Sequence, residues 1–228
     1  MTTRLYLVRH GATELTQEDR FAGATNVHLS ETGKGQAEHL ARRLADDDIT
    51  AIYASPLDRT RATAAILAKP HNLTPITNDG LREISHGHWE ELSRKEVEER
   101  FHEEYMAWEA DPFTFAPIGG ESGISVLARA LPVIRQIVVS HQDKNVIVVS
   151  HKATIRLILS SLLGFDERGY RDRLDQAPAC LNVLDFKDEV HARLMLFNDI
   201  SHYADHPHRP VEHLSRWWDT ASTVESNR

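Results

Sequence analysis

One cysteine, Cys180, in 228 residues leaves no partner for an intrachain disulfide, which fits a reducing compartment. No uninterrupted apolar run reaches the roughly 18 residues of a membrane span. The N-terminus enters its first apolar run almost at once, leaving no room for a signal peptide, so a cytoplasmic location is expected. Positive charge is also short. Lys and Arg number 26 against 34 Asp and Glu, a formal net charge of −8, which argues against a nucleic-acid partner. Local clusters of cations remain free to hold a small anion. There is no internal repeat and no low-complexity segment. What is present, 41% hydrophobic residues over this length, suffices for one sizeable α/β domain or two small ones. The chain reads as one domain over residues 1–228.

Two stretches carry the strongest signal. Leu5-Tyr6-Leu7-Val8 is long enough for a buried strand and ends in Arg9, His10 and Gly11. Val146-Ile147-Val148-Val149 ends likewise in Ser150 and His151. Open α/β sheets bind ligands just beyond the carboxyl ends of their strands. Two buried strands would each deliver a histidine there, with Arg9 beside His10 and Gly11 allowing close backbone approach.

The rest of the chain falls into order around them. Ala12 to Leu29 is a polar loop whose Thr13, Thr16, Arg20 and Gly23 suit closure over a ligand. Ser30 or Thr32 caps a helix with Ala37, Leu40, Ala41 and Leu44 on its core face. Ala51–Ala54 is a short strand, and Ser55-Pro56 opens the next helix with proline in its first turn. Arg59 and Arg61 lie near that helix's amino end, which favours an anion. Thr74 to Thr77 is a weak strand. Ser93-Arg94-Lys95-Glu96 is a capping box for a charged helix to about Trp108, and 111–120 is a Pro- and Gly-rich loop. Residues 85–120 therefore read as a cap over the sheet. A helix from Ser122 to His141 presents Leu127, Leu131, Ile134 and Val138 on one face, with Pro132 expected to kink it. Ile155, Ile158, Leu159 and Leu162 mark the helix after His151. Leu181–Phe186 and Ala192–Phe197 read as two edge strands. The tail 203–228, with Trp217-Trp218, is either mobile or a packed strap.

Leu7-Val8-Arg9-His10-Gly11, Ser55-Pro56-Leu57-Asp58-Arg59, Leu81-Arg82-Glu83, Gly119-Gly120-Glu121-Ser122 and Ser150-His151 occur in an order that resembles the histidine phosphatase superfamily. More narrowly, they resemble its phosphoglycerate-mutase-like branch. Arg-His-Gly alone is a weak signal; five motifs in order, covering nearly the whole chain, are a strong one. The resemblance implies a three-layer α/β/α sandwich around a mostly parallel sheet, with the small cap insertion. Two positions depart from the common pattern. Lys152 follows His151 where glycine is usual, and Thr16 stands where asparagine is frequent. Lys152 either points away as the first residue of a helix or adds a cation near the ligand.

The chemistry of the residues agrees. Phosphoryl transfer needs an in-line nucleophile, a cradle for the phosphoryl oxygens and an acid for the leaving group. Neutral imidazole is a nucleophile, and the cations Arg9 and Arg59 should lower the His10 pKa and keep it neutral. Arg9, Arg59 and His151 would surround the phosphoryl group. The resemblance gives Glu83 the role of proton donor to the leaving group. Thr13, Thr16, Gly23, Arg82 and Lys152 are expected to join Arg9, Arg59 and His151 in binding substrate. Singly, each has a duller reading: a structural histidine, a solvated arginine, a surface carboxylate. Their co-occurrence at strand ends reverses those odds. His86 and His88 are weak evidence for a metal and read as a pocket wall or surface loop. His202, His206 and His208 read as surface residues.

The expected activity is metal-independent hydrolysis of a small phosphomonoester through phosphohistidine, with no cofactor and no metal. A cofactor-dependent phosphoglycerate mutase is the alternative, and a catalytically inactive phosphate-binding module a second. The short cap, rich in glutamates from Glu90 to Glu104, is expected to make retention of a bisphosphorylated cofactor harder. Expected partners are the small phosphomonoester alone, with neither nucleic acid nor membrane; a homodimer is compatible with the sequence.

Overall fold

Successive side chains of a strand face opposite ways, and in the central strands both faces are apolar. That pattern demands a covering layer on each side. In the computed structural model, which describes residues 2–14 and 20–206, the strands are β1 (Thr3–Arg9), β2 (Ile49–Ala54), β3 (Ile76–Thr77), β4 (Asn145–Ser150), β5 (Leu181–Phe186) and β6 (Ala192–Asp199). The helices are α1 (Glu31–Arg43), α2 (Asp58–Ala68), α3 (Arg94–Arg100), α4 (His102–Ala110), α5 (Gly123–Ser140), α6 (Lys152–Leu163) and α7 (Tyr170–Arg173). The sheet order is β3-β2-β4-β1-β5-β6. Pairing is parallel from β3 to β1 and antiparallel across β5.

Leu5, Leu7, Val146 and Val148 pack with Ala130, Ile134 and Ile137 of α5 and Ile155, Ile158 and Leu159 of α6. Tyr6, Val8, Ile147 and Val149 pack on the other face with Leu40 and Ala41 of α1 and Ala64 and Leu67 of α2. The chain is thus the expected three-layer α/β sandwich around a mostly parallel sheet. After β1 the chain turns to α1 on one face; after β4 it turns to α6 on the other. Their carboxyl ends therefore part to opposite faces and leave a crevice between them.

Several local expectations change. β5 is bonded to both β1 and β6, so only β6 lies at that edge. The burial of β5 is nearly continuous, whereas β6 alternates as an edge strand should. Pro56 precedes the N-cap Leu57 of α2 and does not sit inside its first turn. The charged helix after Ser93 is two helices, broken at Phe101, whose φ −132 and ψ 45 are not helical. There the Phe101 ring stacks on His88, 4.3 Å between centroids. α5 continues past Pro132 as one helix; that residue and Ala128, whose carbonyl it leaves without an N–H partner, lie on the exposed face. By length and composition α5 is long and apolar enough to cross a membrane. Its apolar side is instead packed on the sheet.

Residues 85–120 contribute no strand to the sheet. They carry α3 and α4 and a separate apolar cluster of Trp89, Val97, Tyr105 and Trp108, completed by Phe21 from the loop after β1. The capping box of Ser93 and Glu96 is present. The loop after β1 is closed at its base by a bridge between Thr13 and Leu29 and tied to the cap by one between Arg20 and Ser93. Thr16, His208 and the tryptophans Trp217 and Trp218 lie outside the described residues. His206 is exposed as expected, while His202 is half-buried, its ring on Tyr203 and its carbonyl accepting from His39 Nδ1.

Candidate active site

β1 and β4 end in register, Arg9 opposite Ser150. The His10 N–H then donates to the Ser150 carbonyl at 3.1 Å, and the rings of His10 and His151 stand 5.2 Å apart, edge to face. His10 Nδ1 lies 2.7 Å from the Gly11 carbonyl. A carbonyl only accepts, so Nδ1 carries the proton and the lone pair is on Nε2. Burial, then the neighbouring Arg9 and Arg59, hold the His10 pKa well below its usual value. Gly11 is required by crowding: a Cβ there would stand 2.3 Å from the Gly33 carbonyl oxygen in α1.

Arg59 is buried in the first turn of α2 with one N–H on each of its three nitrogens engaged, which leaves a second N–H on Nη1 and on Nη2. Its Nη1 and Nη2 donate to the carbonyls of Thr25 and Gly23 at 2.7 and 2.8 Å, and its Nε donates to His151 Nδ1 at 3.2 Å. Since guanidinium only donates, His151 is protonated at Nε2, which donates to Ser55 Oγ at 2.7 Å. His151 thus stands one layer behind the cleft and does not line it, contrary to expectation. Arg9 does line it. One edge of Arg9 donates to the Gln176 carbonyl at 2.6 Å, and its buried Nε has no hydrogen-bond partner among the described residues.

Glu83 lines the cleft as well. Its Oε1 accepts from Ile84 N (3.0 Å), Thr154 N (3.2 Å) and Thr154 Oγ1 (3.2 Å), and its Oε2 accepts from Ala153 N at 3.2 Å. The carboxyl group is thereby seated on the amino end of α6, whose first N–H groups lack helical acceptors. Arg82 is exposed, with Nε on the Asp79 carbonyl, and takes no part in the cleft. Neighbours in extended backbone face opposite ways, and Glu83 holds the inward side. Thr13 and Gly23 line the cleft as expected.

Lys152 also lines the cleft, so of its two readings the structure has the one that adds a cation there. Its ammonium is 3.1 Å from Asp175 Oδ1, and Arg156 Nη2 is 3.0 Å from the same oxygen. Burial beside Arg156 and Arg9 brings the Lys152 pKa down to about 7. Arg94, Trp108, Arg156, Tyr170 and Arg171 line the cleft too, and sequence reasoning missed them. Trp108 is flanked by Arg171 at 4.3 Å and Arg94 at 5.5 Å from its ring. His86 faces the cleft, while His88 pairs with Glu104 at 2.9 Å. The open space is about 240 Å³, smaller than the roughly 300–1,000 Å³ of sites for drug-sized ligands. Among the described residues, seven lining side chains are Arg or Lys, and Glu83 is the single acidic one. The cap's glutamates do not reach the cleft. Glu90 binds Ala24 N, Thr25 Oγ1, Ser85 Oγ and His86 N; Glu96 caps α3; Glu104 holds His88. Two of them nevertheless pair with cations that line it, Glu96 with Arg20 at 3.1 Å and Glu109 with Arg171 at 3.3 Å.

A family model for the histidine phosphatase superfamily (branch 1) matches residues 5–200. The chain belongs to this superfamily. Phosphoserine phosphatase 1 of Hydrogenobacter thermophilus is 37% identical over 163 residues, covering 72% of this chain and 77% of that protein. A probable 2-carboxy-D-arabinitol-1-phosphatase of Arabidopsis thaliana is 32% identical over 186 residues, which is 81% of this chain but 38% of the plant protein. The solved structure of a mycobacterial glucosyl-3-phosphoglycerate phosphatase superposes with a TM-score of 0.79 at 28% identity, covering 87% of this chain and 99% of that one. This histidine phosphatase is accordingly a phosphomonoesterase of small metabolites.

Proposed function

We propose that this phosphatase hydrolyses a small phosphomonoester whose leaving group bears a second anion, a carboxylate, and that it does so through phosphohistidine at His10. The observation that carries this reading is the charge of the cleft: seven cations and one carboxyl group in a chain of net charge −8. Two arginines suffice as a cradle for one phosphoryl group; of the rest, Arg20 and Arg171 are each paired with carboxylates of their own, while Lys152 and Arg156 share one and are left to address the remainder of the substrate. The names of the three relatives describe phosphoserine, a phosphoglycerate and a carboxylated sugar phosphate, all of which carry a carboxylate.

His10 Nε2 attacks phosphorus in line. The N–P bond forms as the P–O bond to the leaving group breaks, and Glu83, protonated, gives its proton to that oxygen. Arg9 and Arg59 stabilise charge on the phosphoryl oxygens. His151 acts through Arg59, fixing its Nε, and is a positioning residue in this scheme. Glu83 then takes a proton from water, whose oxygen attacks phosphorus; the N–P bond breaks and inorganic phosphate leaves. A cytoplasmic setting belongs to the same reading, since Cys180 is the one cysteine of the chain and no intrachain disulfide calls for an oxidising compartment.

Acid-labile ³²P transfer from labelled phosphoserine tests the route. Wild type should label and release inorganic phosphate; His10→Ala should do neither while retaining the circular-dichroism spectrum of the wild type. Phosphoserine should also be turned over with a higher kcat/KM than phosphoethanolamine, which lacks only the carboxylate. Equal kcat/KM values would refute the second-anion reading, and labelling of His10→Ala would refute the nucleophile.

A further inference from the structure

We infer that Lys152 and Arg156, one turn apart on α6, form the subsite that reads the second anion of the substrate. This rests on the proposed function, in which such an anion exists. The placement follows from Glu83. Its carboxyl group is bonded to the N–H groups of Ala153 and Thr154, the residues directly after Lys152. A leaving group protonated by Glu83 therefore lies over the first turn of α6. Lys152 and Arg156, at i and i+4, share that face of the helix and line the cleft beside it.

The pair is also built for an anion it does not yet have. Both cations converge on one oxygen of one carboxylate, Asp175 Oδ1, at 3.1 and 3.0 Å. Two positive charges thus share one negative charge, with Arg9 nearby adding repulsion. The side chain of Arg156 is only 6% exposed, yet its Nε is buried without a hydrogen-bond partner among the described residues. A buried donor left unpaired costs free energy that a ligand oxygen would recover. The depression of the Lys152 pKa has the same origin: a desolvated ammonium beside two guanidinium groups. Asp175, 41% exposed on its side chain, is positioned as a counter-ion that keeps the two cations oriented toward the cleft. The lysine stands where the family usually has glycine, so this subsite would distinguish the present chain from relatives that lack it.

The test is a ratio of ratios. For wild type, Lys152→Met, Lys152→Arg and Arg156→Gln, kcat/KM is measured with phosphoserine and with phosphoethanolamine. The readout is the preference for the carboxylated substrate. Removing a charge-assisted hydrogen bond to the carboxylate should lower that preference about 10–100-fold in Lys152→Met and in Arg156→Gln, chiefly through KM for phosphoserine. Lys152→Arg, which keeps the charge, should retain most of it. If wild type shows the preference and Lys152→Met keeps it, the subsite is elsewhere and this inference falls, while the second-anion reading stands. If both substrates suffer equally in Lys152→Met, the lysine serves the phosphoryl group and the inference falls as well. A wild type without preference overturns the second-anion reading itself, and this inference with it.

Discussion

Replacing Glu83 by glutamine separates proton donation from phosphoryl binding, and the structure allows the side effects to be reckoned. The carboxyl group accepts from three donors at Oε1 and from Ala153 N at Oε2. An amide has one acceptor oxygen. Its better orientation keeps that oxygen on Ile84 and Thr154 and turns the NH2 toward the N–H of Ala153. One donor is then unsatisfied, at a cost of about 1–3 kcal/mol. That cost, and any displacement it causes, is the same whatever the substrate. Loss of a general acid is not. It is typically about 10²–10⁴-fold, or roughly 3–5 kcal/mol, when the leaving group is a poor alkoxide. A nitrophenolate leaves without a proton. Single-turnover phosphorylation of His10 should therefore slow about 10²–10⁴-fold more with 3-phosphoglycerate than with p-nitrophenyl phosphate. Equal slowing of the two would show that Glu83 is not the acid. His86 is a poor replacement, since burial brings its pKa down to about 4 and leaves it without a proton to give at neutral pH. Lys152, at about 7, would be the next group to test.

Arg59→Ala should behave in the opposite way, slowing both substrates alike. It should also lower stability by about 3 kcal/mol, because it strips partners from the carbonyls of Gly23 and Thr25 and from His151; unchanged thermal unfolding would contradict the bonding described for it. His86→Phe should flatten the acid limb of stability. The folded chain holds His86 near 4 against an unfolded value of 6.5, so the unfolded state binds more protons below pH 6.5 and stability falls as pH drops toward 4. Urea unfolding at pH 7.5 and 4.5 should show roughly 2 kcal/mol less pH-dependent loss in the variant than in wild type; parallel losses would refute a buried neutral His86.

The parts of the site legible in the sequence are those where polarity changes abruptly. Leu5 to His10 and Val146 to His151 pass from a buried run to an ionisable side chain within a residue or two, and the two together point to strand ends in a crevice. Glu83 was legible through the order of motifs and not through its own chemistry, since nothing local announces that Ala153 and Thr154 will bind it. Arg156 escaped because a single arginine among Ile155, Leu157 and Ile158 looks like a solvated interruption of a core helix. Only its spacing from Lys152 hints otherwise, and that hint depends on knowing which way Lys152 faces. Arg94 and Arg171 reach the cleft through tertiary packing on Trp108, which periodicity does not encode. The break at Phe101 has the same character. Local propensity favours continuing the helix, and stacking on His88 within the cap cluster prevails. Arg82 stands in the same motif as Glu83, but neighbours in extended backbone face opposite ways, and that places Arg82 outside the cleft.

Charge composition misled most where it was averaged. Counted over the chain, or over residues 85–120, it is acidic; counted over the cleft, it is strongly cationic. The two counts are reconciled by where each carboxylate spends its hydrogen bonds. Glu90 and Glu96 are satisfied by backbone and hydroxyl donors that shape the cap, and Glu104 by His88. Among the cleft cations, Arg171 pairs with Glu109 and Asp172 and Arg20 with Glu96, whereas Arg9 donates to a neutral carbonyl and Arg156 shares one carboxylate with Lys152. Burial lowers the pKa of Arg9, Arg59 and Arg156, which measures the cost of holding these charges away from water. In the folded chain that cost lowers stability. The same uncompensated charge is what a phosphoryl group or a carboxylate meets on entering. The strain of the free protein and its affinity for a phosphoryl group are therefore one quantity seen from two sides, and a cleft relaxed by added acidic side chains would bind and turn over its substrate less well.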